Sequence, residues 1–180
     1  MLEEKSLIQD LQKKKTQDKA FKDLINLYKE PLYWHIRKIV ISHEDADDVL
    51  QNTFIKVYKN ISKFNAKSKL YTWIYRIATN ESITHLNKNA KMQNINSETL
   101  QNHLVENLQS DVYFDGDEIQ YKLQKALATL PQKQQLVFNM KYFDDMKYEE
   151  ISEILETSVG ALKASYHHAR KKIENYLTGN

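Results

Sequence analysis

The chain has no cysteine, which excludes disulfide scaffolds, zinc-thiolate sites and thiol catalysis and leaves no requirement for an oxidising compartment. It has two prolines and three glycines in 180 residues, too few breakers for a loop-rich or all-β architecture. Apolar residues recur at three- and four-residue steps almost throughout, so an all-α protein is the expected fold class. No apolar run reaches the length of a membrane span, and the opening MLEEKSLIQDLQKKK lacks the apolar segment of a secretory signal. A cytoplasmic protein without membrane insertion is expected. The six histidines fall at no metal-ligand spacing, so neither a metal nor another cofactor is expected.

What is present is segregated charge. The formal net charge is +2, yet residues 54–91 carry eight Lys/Arg against the single acid Glu81, and residues 98–118 carry six Asp/Glu and no Lys/Arg. The basic block is interleaved with Phe54, Tyr58, Phe64, Tyr71, Trp73 and Tyr75. Cations meet phosphates and rings stack on unpaired bases, so this combination fits contact with nucleic acid. A lysine-rich solvated face over an aromatic core is the alternative.

Periodicity divides the chain into two small helical domains joined by a flexible acidic linker. Residues 1–20 form a lead-in helix, 21–92 a first domain, 93–116 the linker and 117–180 a second domain. In the first domain Phe21, Leu24, Ile25, Tyr28, Leu32, Ile36, Ile39 and Val40 mark a helix that Pro31 is expected to kink or divide. A second helix begins near SHEDADDVL, where Ser42 or Asp45 is placed to cap it, with Ala46, Val49, Leu50, Phe54, Val57 and Ile61 inside. After the loop SKFNAKSK a third turns Leu70, Trp73, Ile74, Ile77 and Ala78 inward. Residues 87–116 are rich in Asn, Gln and Ser, with apolar positions too sparse to bury much area.

In the second domain Ile119, Leu123, Ala126, Leu127 and Leu130 precede a break at Pro131, and Leu136, Val137 and Met140 resume the pattern. Ile151, Ile154 and Leu155 form the inner face of a short helix near Tyr148–Leu155. The final stretch SVGALKASYHHARKKIENYL gives Val159, Leu162, Tyr166, Ala169 and Ile173 to a core. Its opposite face carries Gly160, Ala161, Lys163, Ala164, His167, His168, Arg170 and Lys171, small residues that permit close approach and donors for phosphates or base edges. Read alone, this is equally a solvated C-terminal helix. A short helix, a brief ETS connection and a basic helix together have helix-turn-helix geometry, in which the second helix enters the major groove N-terminus first.

DADDVLQNTFIKVYKNISKF with YTWIYRIATNESITHL resembles region 2 of a bacterial sigma factor, and LATLPQKQQLVFNMKYFDDMKYEEISEIL with SVGALKASYHHARKKI resembles region 4. The ordered pair with a short linker is similar to the extracytoplasmic-function (ECF) class, from Phe21 to Leu177. The resemblance implies a non-enzymatic initiation factor that docks core RNA polymerase at the clamp helices of the largest subunit and at the flap, binds promoter DNA and answers to an anti-sigma factor. Asp48, Gln51 and Asn52 match the clamp-docking surface, with Asn52 where glutamate is common. The loop residues Phe64, Asn65, Lys67 and Ser68, with Tyr71, Trp73, Arg76 and Asn80 on the following helix, match the minus-ten capture site. Ser158, Gly160, Ala161, Lys163, Ala164, His167, His168, Arg170 and Lys171 match the minus-thirty-five reader. Glu156 stands where glycine is usual, and Ala164 and Ser165 where serine and arginine often occur. The acidic linker matches the segment that the family threads through the active-site cleft and RNA exit path.

Two other classes were weighed. DADD and FDDMKYEE could suggest carboxylates holding magnesium before a diphosphate, but they sit at a helix start and at a helix-helix turn in separate domains. A stand-alone helix-turn-helix regulator is the closer competitor, and it gives no use to the aromatic, basic first domain.

Overall fold

The computed structural model describes residues 2–106, 108 and 117–179. Among these, nine α-helices and one 3₁₀ turn form and no strand does. Helices α1 (Leu2–Gln12), α2 (Gln17–Val40), α3 (His43–Asn60) and α4 (Leu70–Met92) build the first domain, with the 3₁₀ turn Ile61–Lys63 after α3. Helix α5 (Ser97–Glu106) follows, and α6 (Glu118–Ala128), α7 (Gln132–Tyr142), α8 (Tyr148–Leu155) and α9 (Val159–Thr178) build the second. None of the helices among the described residues is long and apolar enough to cross a membrane.

The predicted stripe of α3 is buried in full: Ala46, Val49, Leu50, Phe54, Val57 and Ile61 all face the core. Ser42 is the residue that caps the helix, its Oγ accepting the Asp45 N–H at 3.3 Å, while Glu44 and Asp45 lie in the first turn, where carboxylates oppose the positive end of the helix dipole. Pro31 does not divide α2, which runs unbroken from Gln17 to Val40. The proline is exposed, and Leu24, Leu32 and Ile36 on either side of it are wholly buried, so packing of one apolar face keeps both halves in a single helix. On α4, Leu70, Ile74 and Ala78 are buried as expected, whereas Trp73 and Ile77 are half-buried.

The lead-in helix is tied to the loop before α4. Gln12 Nε2 donates to the carbonyls of Ile61 at 3.2 Å and Phe64 at 2.7 Å, and the Leu70 N–H donates to Glu4 Oε1 at 2.9 Å. Both ends of the loop are thereby fixed from one side. The segment read as a linker contains α5, whose Leu100, Gln101 and Val105 are buried. Gln101 Nε2 donates to Gln135 Oε1 of α7 at 2.9 Å and to the Ile39 carbonyl of α2 at 3.3 Å. Two buried apolar residues and one amide suffice, because α5 lies against ready-made helical faces and needs no core of its own.

The two domains share a core. One apolar cluster runs from Leu24, Leu32 and Ile36 of α2 and Ile74 of α4 to Met140 of α7 and Ile154 of α8. A smaller one joins α6, α7 and α9 through Leu127, Phe138, Ala169 and Ile173. Replacing Ile74 by alanine should lower unfolding free energy by about 2–5 kcal/mol, the usual range for a filled core site. The same change at Ile55, 43% exposed on α3, should cost under about 1 kcal/mol. Urea titrations of the two variants measure the difference.

Candidate nucleic-acid interface

The loop between the 3₁₀ turn and α4 builds one side of the site. Asn65 Oδ1 accepts the Lys67 N–H at 3.3 Å, closing a tight turn, and Ala66 is held at φ 54°, a left-handed conformation that costs an L-residue roughly 1–2 kcal/mol. The turn leaves Asn65 and Lys67 exposed. Phe64 is turned inward, only 7% exposed, with its ring 5.1 Å from that of Trp73. Together Phe64, Asn65, Lys67, Ser68, Trp73 and Arg76 line an open concavity of about 430 Å³. Its lining combines two rings with amide, hydroxyl and cationic groups and the Glu153 carboxylate.

Two of the predicted residues lie elsewhere. Asn80 is exposed and lines the neighbouring cleft with Arg76, Gln132 and Leu155. Tyr71 packs on Tyr75 at 4.5 Å and faces the seam between the domains. Burial, then the carboxylates of Glu150 and Asp144, push its hydroxyl well above the ordinary tyrosine range. Tyr75 is pushed up in the same way, chiefly by burial.

That seam holds the group sequence reading missed. Asp144, in the turn between α7 and α8, reaches α2: its Oδ2 meets His35 Nδ1 at 2.8 Å, and its Oδ1 pairs with Lys38 Nζ. His35 is 1% exposed, and its Nε2 lies 2.9 Å from Thr79 Oγ1 of α4. Burial alone would raise the Asp144 carboxyl; the hydrogen bond and charge of His35, with Lys38, outweigh it and hold the carboxyl below its ordinary value. The carboxylates in FDDMKYEE are therefore committed at Asp144 to intramolecular partners.

The second surface is α9. Ser158 caps it, accepting the Ala161 N–H at 3.4 Å. Ser158, Gly160, Ala161, Lys163, Ala164, His167, His168, Arg170 and Lys171 are all exposed, while Leu162, Ala169 and Ile173 are buried. A Cβ built on Gly160 meets nothing within 4 Å, so packing inside the chain does not require glycine there. Arg170 is joined to Glu174 at 2.7 Å. The turn before α9 places Glu156 at φ 49°, ψ 45°, the left-handed conformation that glycine adopts freely.

The third surface is on α3. Asp48, Gln51 and Asn52 are exposed, and beside them Phe21, Ile25, Gln51, Ile55 and Tyr58 line an apolar groove of about 390 Å³. Sequence reading stopped at the polar residues. The available signal was Ile55 and Tyr58, two apolar residues off the inner stripe of an otherwise polar face.

Two measurements follow. Because folding lowers the Asp144 value, its contribution to stability is complete above the ordinary 3.8 and is lost as pH falls through the lowered native value. Asp144→Asn should cost about 3 kcal/mol near neutrality and flatten that acid loss, as read from urea midpoints across pH. Glu156→Gly should raise stability by about 1 kcal/mol, because relief of the left-handed strain exceeds the small contribution of an exposed ion pair.

Both halves of the chain match known protein families. The family model for Sigma-70 region 2 matches residues 24–92 and that for Sigma-70 region 4 matches residues 120–173. ECF RNA polymerase sigma factor SigW of Bacillus subtilis strain 168 is 30% identical over 92% of this chain and 93% of its own. The ECF RNA polymerase sigma-E factor of Haemophilus influenzae is 29% identical over 88% of each. Among solved structures, CnrH in complex with the cytosolic domain of CnrY superposes with a TM-score of 0.71 at 19% identity, over 98% of both chains. The sigma factor RpoE in complex with the anti-sigma factor NepR from Bartonella quintana gives 0.67 at 20% identity, over 89% of this chain and 98% of that one. The chain belongs to the ECF RNA polymerase sigma factor family and directs promoter-specific transcription initiation.

Proposed function

We propose that the three surfaces divide the work of initiation among named residues. Asp48, Gln51 and Asn52, with the apolar groove beside them, dock on the clamp helices of core RNA polymerase, and the second domain meets the flap. The concavity of Phe64, Asn65, Lys67, Ser68, Trp73 and Arg76 receives a minus-ten base extruded from the stack, and Asn80 holds the adjoining strand. The face of α9 from Ser158 to Lys171 enters the major groove at minus thirty-five. The chain itself makes and breaks no covalent bond, and its work on promoter DNA places it in the cytoplasm.

The observation that carries this reading is the concavity in which Phe64 and Trp73 lie beside Lys67 and Arg76. Extruding a base costs a few kcal/mol, which stacking at about 1–3 kcal/mol per base and bonds to its edge offset. Phe64 and Trp73 supply the ring surface. Asn65 supplies a donor and an acceptor, and Lys67 and Arg76 meet the backbone. The relatives CnrH and RpoE have each been solved with a second protein, CnrY and the anti-sigma factor NepR, and we infer that this chain too answers to an anti-sigma partner.

Run-off transcription by cognate core polymerase on selected genomic fragments tests the assignment. Specific transcripts should require the protein. Asn80→Ala should reduce them by about 5- to 30-fold through loss of a strand contact worth about 1–2 kcal/mol. Lys163→Ala should weaken binding evenly across promoters and reduce the salt slope by about one. Asp48→Arg should abolish capture of the chain by core polymerase while leaving it folded. Duplex promoter bound by the free protein as tightly as by the holoenzyme would instead favour a stand-alone regulator.

A further inference from the structure

The minus-ten concavity assigned above is bordered on one side by carboxylates of the same chain. Glu150 of α8 pairs with Lys69 at 3.1 Å, and Glu156 at the end of that helix pairs with Arg76 at 3.4 Å. Between them Glu153 lines the same concavity as Lys67, Trp73 and Arg76. The three carboxylates recur at three-residue steps along one side of α8, so they run past the loop and the first turns of α4 as successive phosphates of a strand would. We propose that α8 is an internal mimic of the minus-ten strand, latched over its site by Asp144, and that the chain must open at this seam before it can bind melted DNA.

The proposal rests on the sigma-factor reading of the concavity. Exposed ion pairs are individually weak, so the acidic stripe competes for the cations without fixing the domains. Fixing falls to the shared apolar cluster, held in register by the turn before α8, where Asp144 enters between His35 and Lys38 of α2, and by Asn139 of α7, whose Nδ2 donates to the Lys38 carbonyl at 3.2 Å. The closed form is also too small for its task. Minus-ten and minus-thirty-five elements lie about 25 base pairs apart, or about 85 Å at about 3.4 Å each. A compact chain of 180 residues has a radius of gyration of about 16 Å and is about 40 Å across. It cannot place the loop and α9 on both elements at once. The reading face of α9 is exposed as it stands, so closure masks one of the two DNA surfaces and leaves the other free.

Because the chain has no cysteine, Thr84→Cys on α4 and Tyr176→Cys on α9 give a unique dye pair across the seam of the full-length protein. Dye transfer and binding of short single-stranded DNA of randomised sequence are measured for wild type, Asp144→Asn and the triple variant Glu150→Gln, Glu153→Gln, Glu156→Gln. A control triple, Asp23→Asn, Glu30→Gln, Glu98→Gln, removes the same charge from exposed positions away from the seam. Asp144→Asn should lower dye transfer, and both it and the α8 triple should bind the strand tighter by about 5- to 150-fold, the usual range for coupled equilibria. Arg76→Gln should cancel the gain. Equal gains from the α8 triple and the control would reduce the effect to general charge and overturn the mimic. Unchanged transfer and binding in a folded Asp144→Asn variant would overturn the latch, and the triple, which alters only α8 carboxylates at the seam's rim, tests masking even if that variant unfolds. Run-off transcription by the wild type, measured in parallel, reports on the underlying sigma reading alone.

Discussion

The packing of the two domains turns on one carboxylate. Asp144 is the point where a polar turn of the second domain enters the first, and every group around it is set by that entry. His35 lies between Asp144 and Thr79, and Lys38 reaches the second oxygen. A buried carboxylate left alone would cost several kcal/mol, and a buried pair is strongly sensitive to loss of either partner. The apolar cluster shared by α2, α4, α7 and α8 supplies most of the area removed from water. Asp144 selects the register in which that area meets, because no sliding of α8 along α4 keeps both the carboxylate and the apolar residues matched.

Most of the fold was legible in the sequence because helical periodicity separates inside from outside within each domain. The inner stripe of α3, the cap at Ser42, the span Tyr148–Leu155 and the exposed face of α9 follow directly from spacing, since an exposed face is the complement of a buried one. Periodicity does not say which of two buried faces meets which partner. Tyr71 and Tyr75 were read as part of a basic-aromatic surface, and the structure places them at the seam, where Tyr75 is 5% exposed. His35 sits on the inner face of α2, three residues after Leu32 and four before Ile39, so spacing marks it as buried but does not name its partner. Helix α5 was hidden because its environment, not its composition, makes it helical: Leu100, Leu104 and Val105 acquire a face to cover only when α4 and α6 are in place.

The segregation of charge along the chain acquires a meaning once the domains are folded together. The basic block at 54–91 does not project its whole field into solvent. Lys69 and Arg76 are neutralised by α8, and Lys56 pairs with Glu81 of α4. Lys63 and Lys67 also lie exposed at the loop. A net charge of +2 is thus the residue of a larger cancellation, and DNA affinity depends on conformation as much as on composition. Screening of exposed pairs by salt acts on both sides of this exchange, weakening the α8 contacts and the phosphate contacts that would replace them.

The same reasoning limits what α9 can read. Its one arginine on the outer face is tied to Glu174, and Lys163 lies 5.7 Å from the ring of Tyr148, so its ammonium is drawn toward α8 at the helix start. The commonest specific contact, a bidentate arginine on guanine, therefore has no ready donor at the first turns. Gly160, Ala161 and Ala164 offer instead a smooth wall on which the helix backbone can approach the groove floor. A wall of that kind discriminates by thymine methyls and by groove shape. On the proposed reading of α9, specificity at this element would come from which DNA can lie flat against the helix, and affinity from the phosphates that Lys163, Lys171 and the capped N-terminus of α9 can reach.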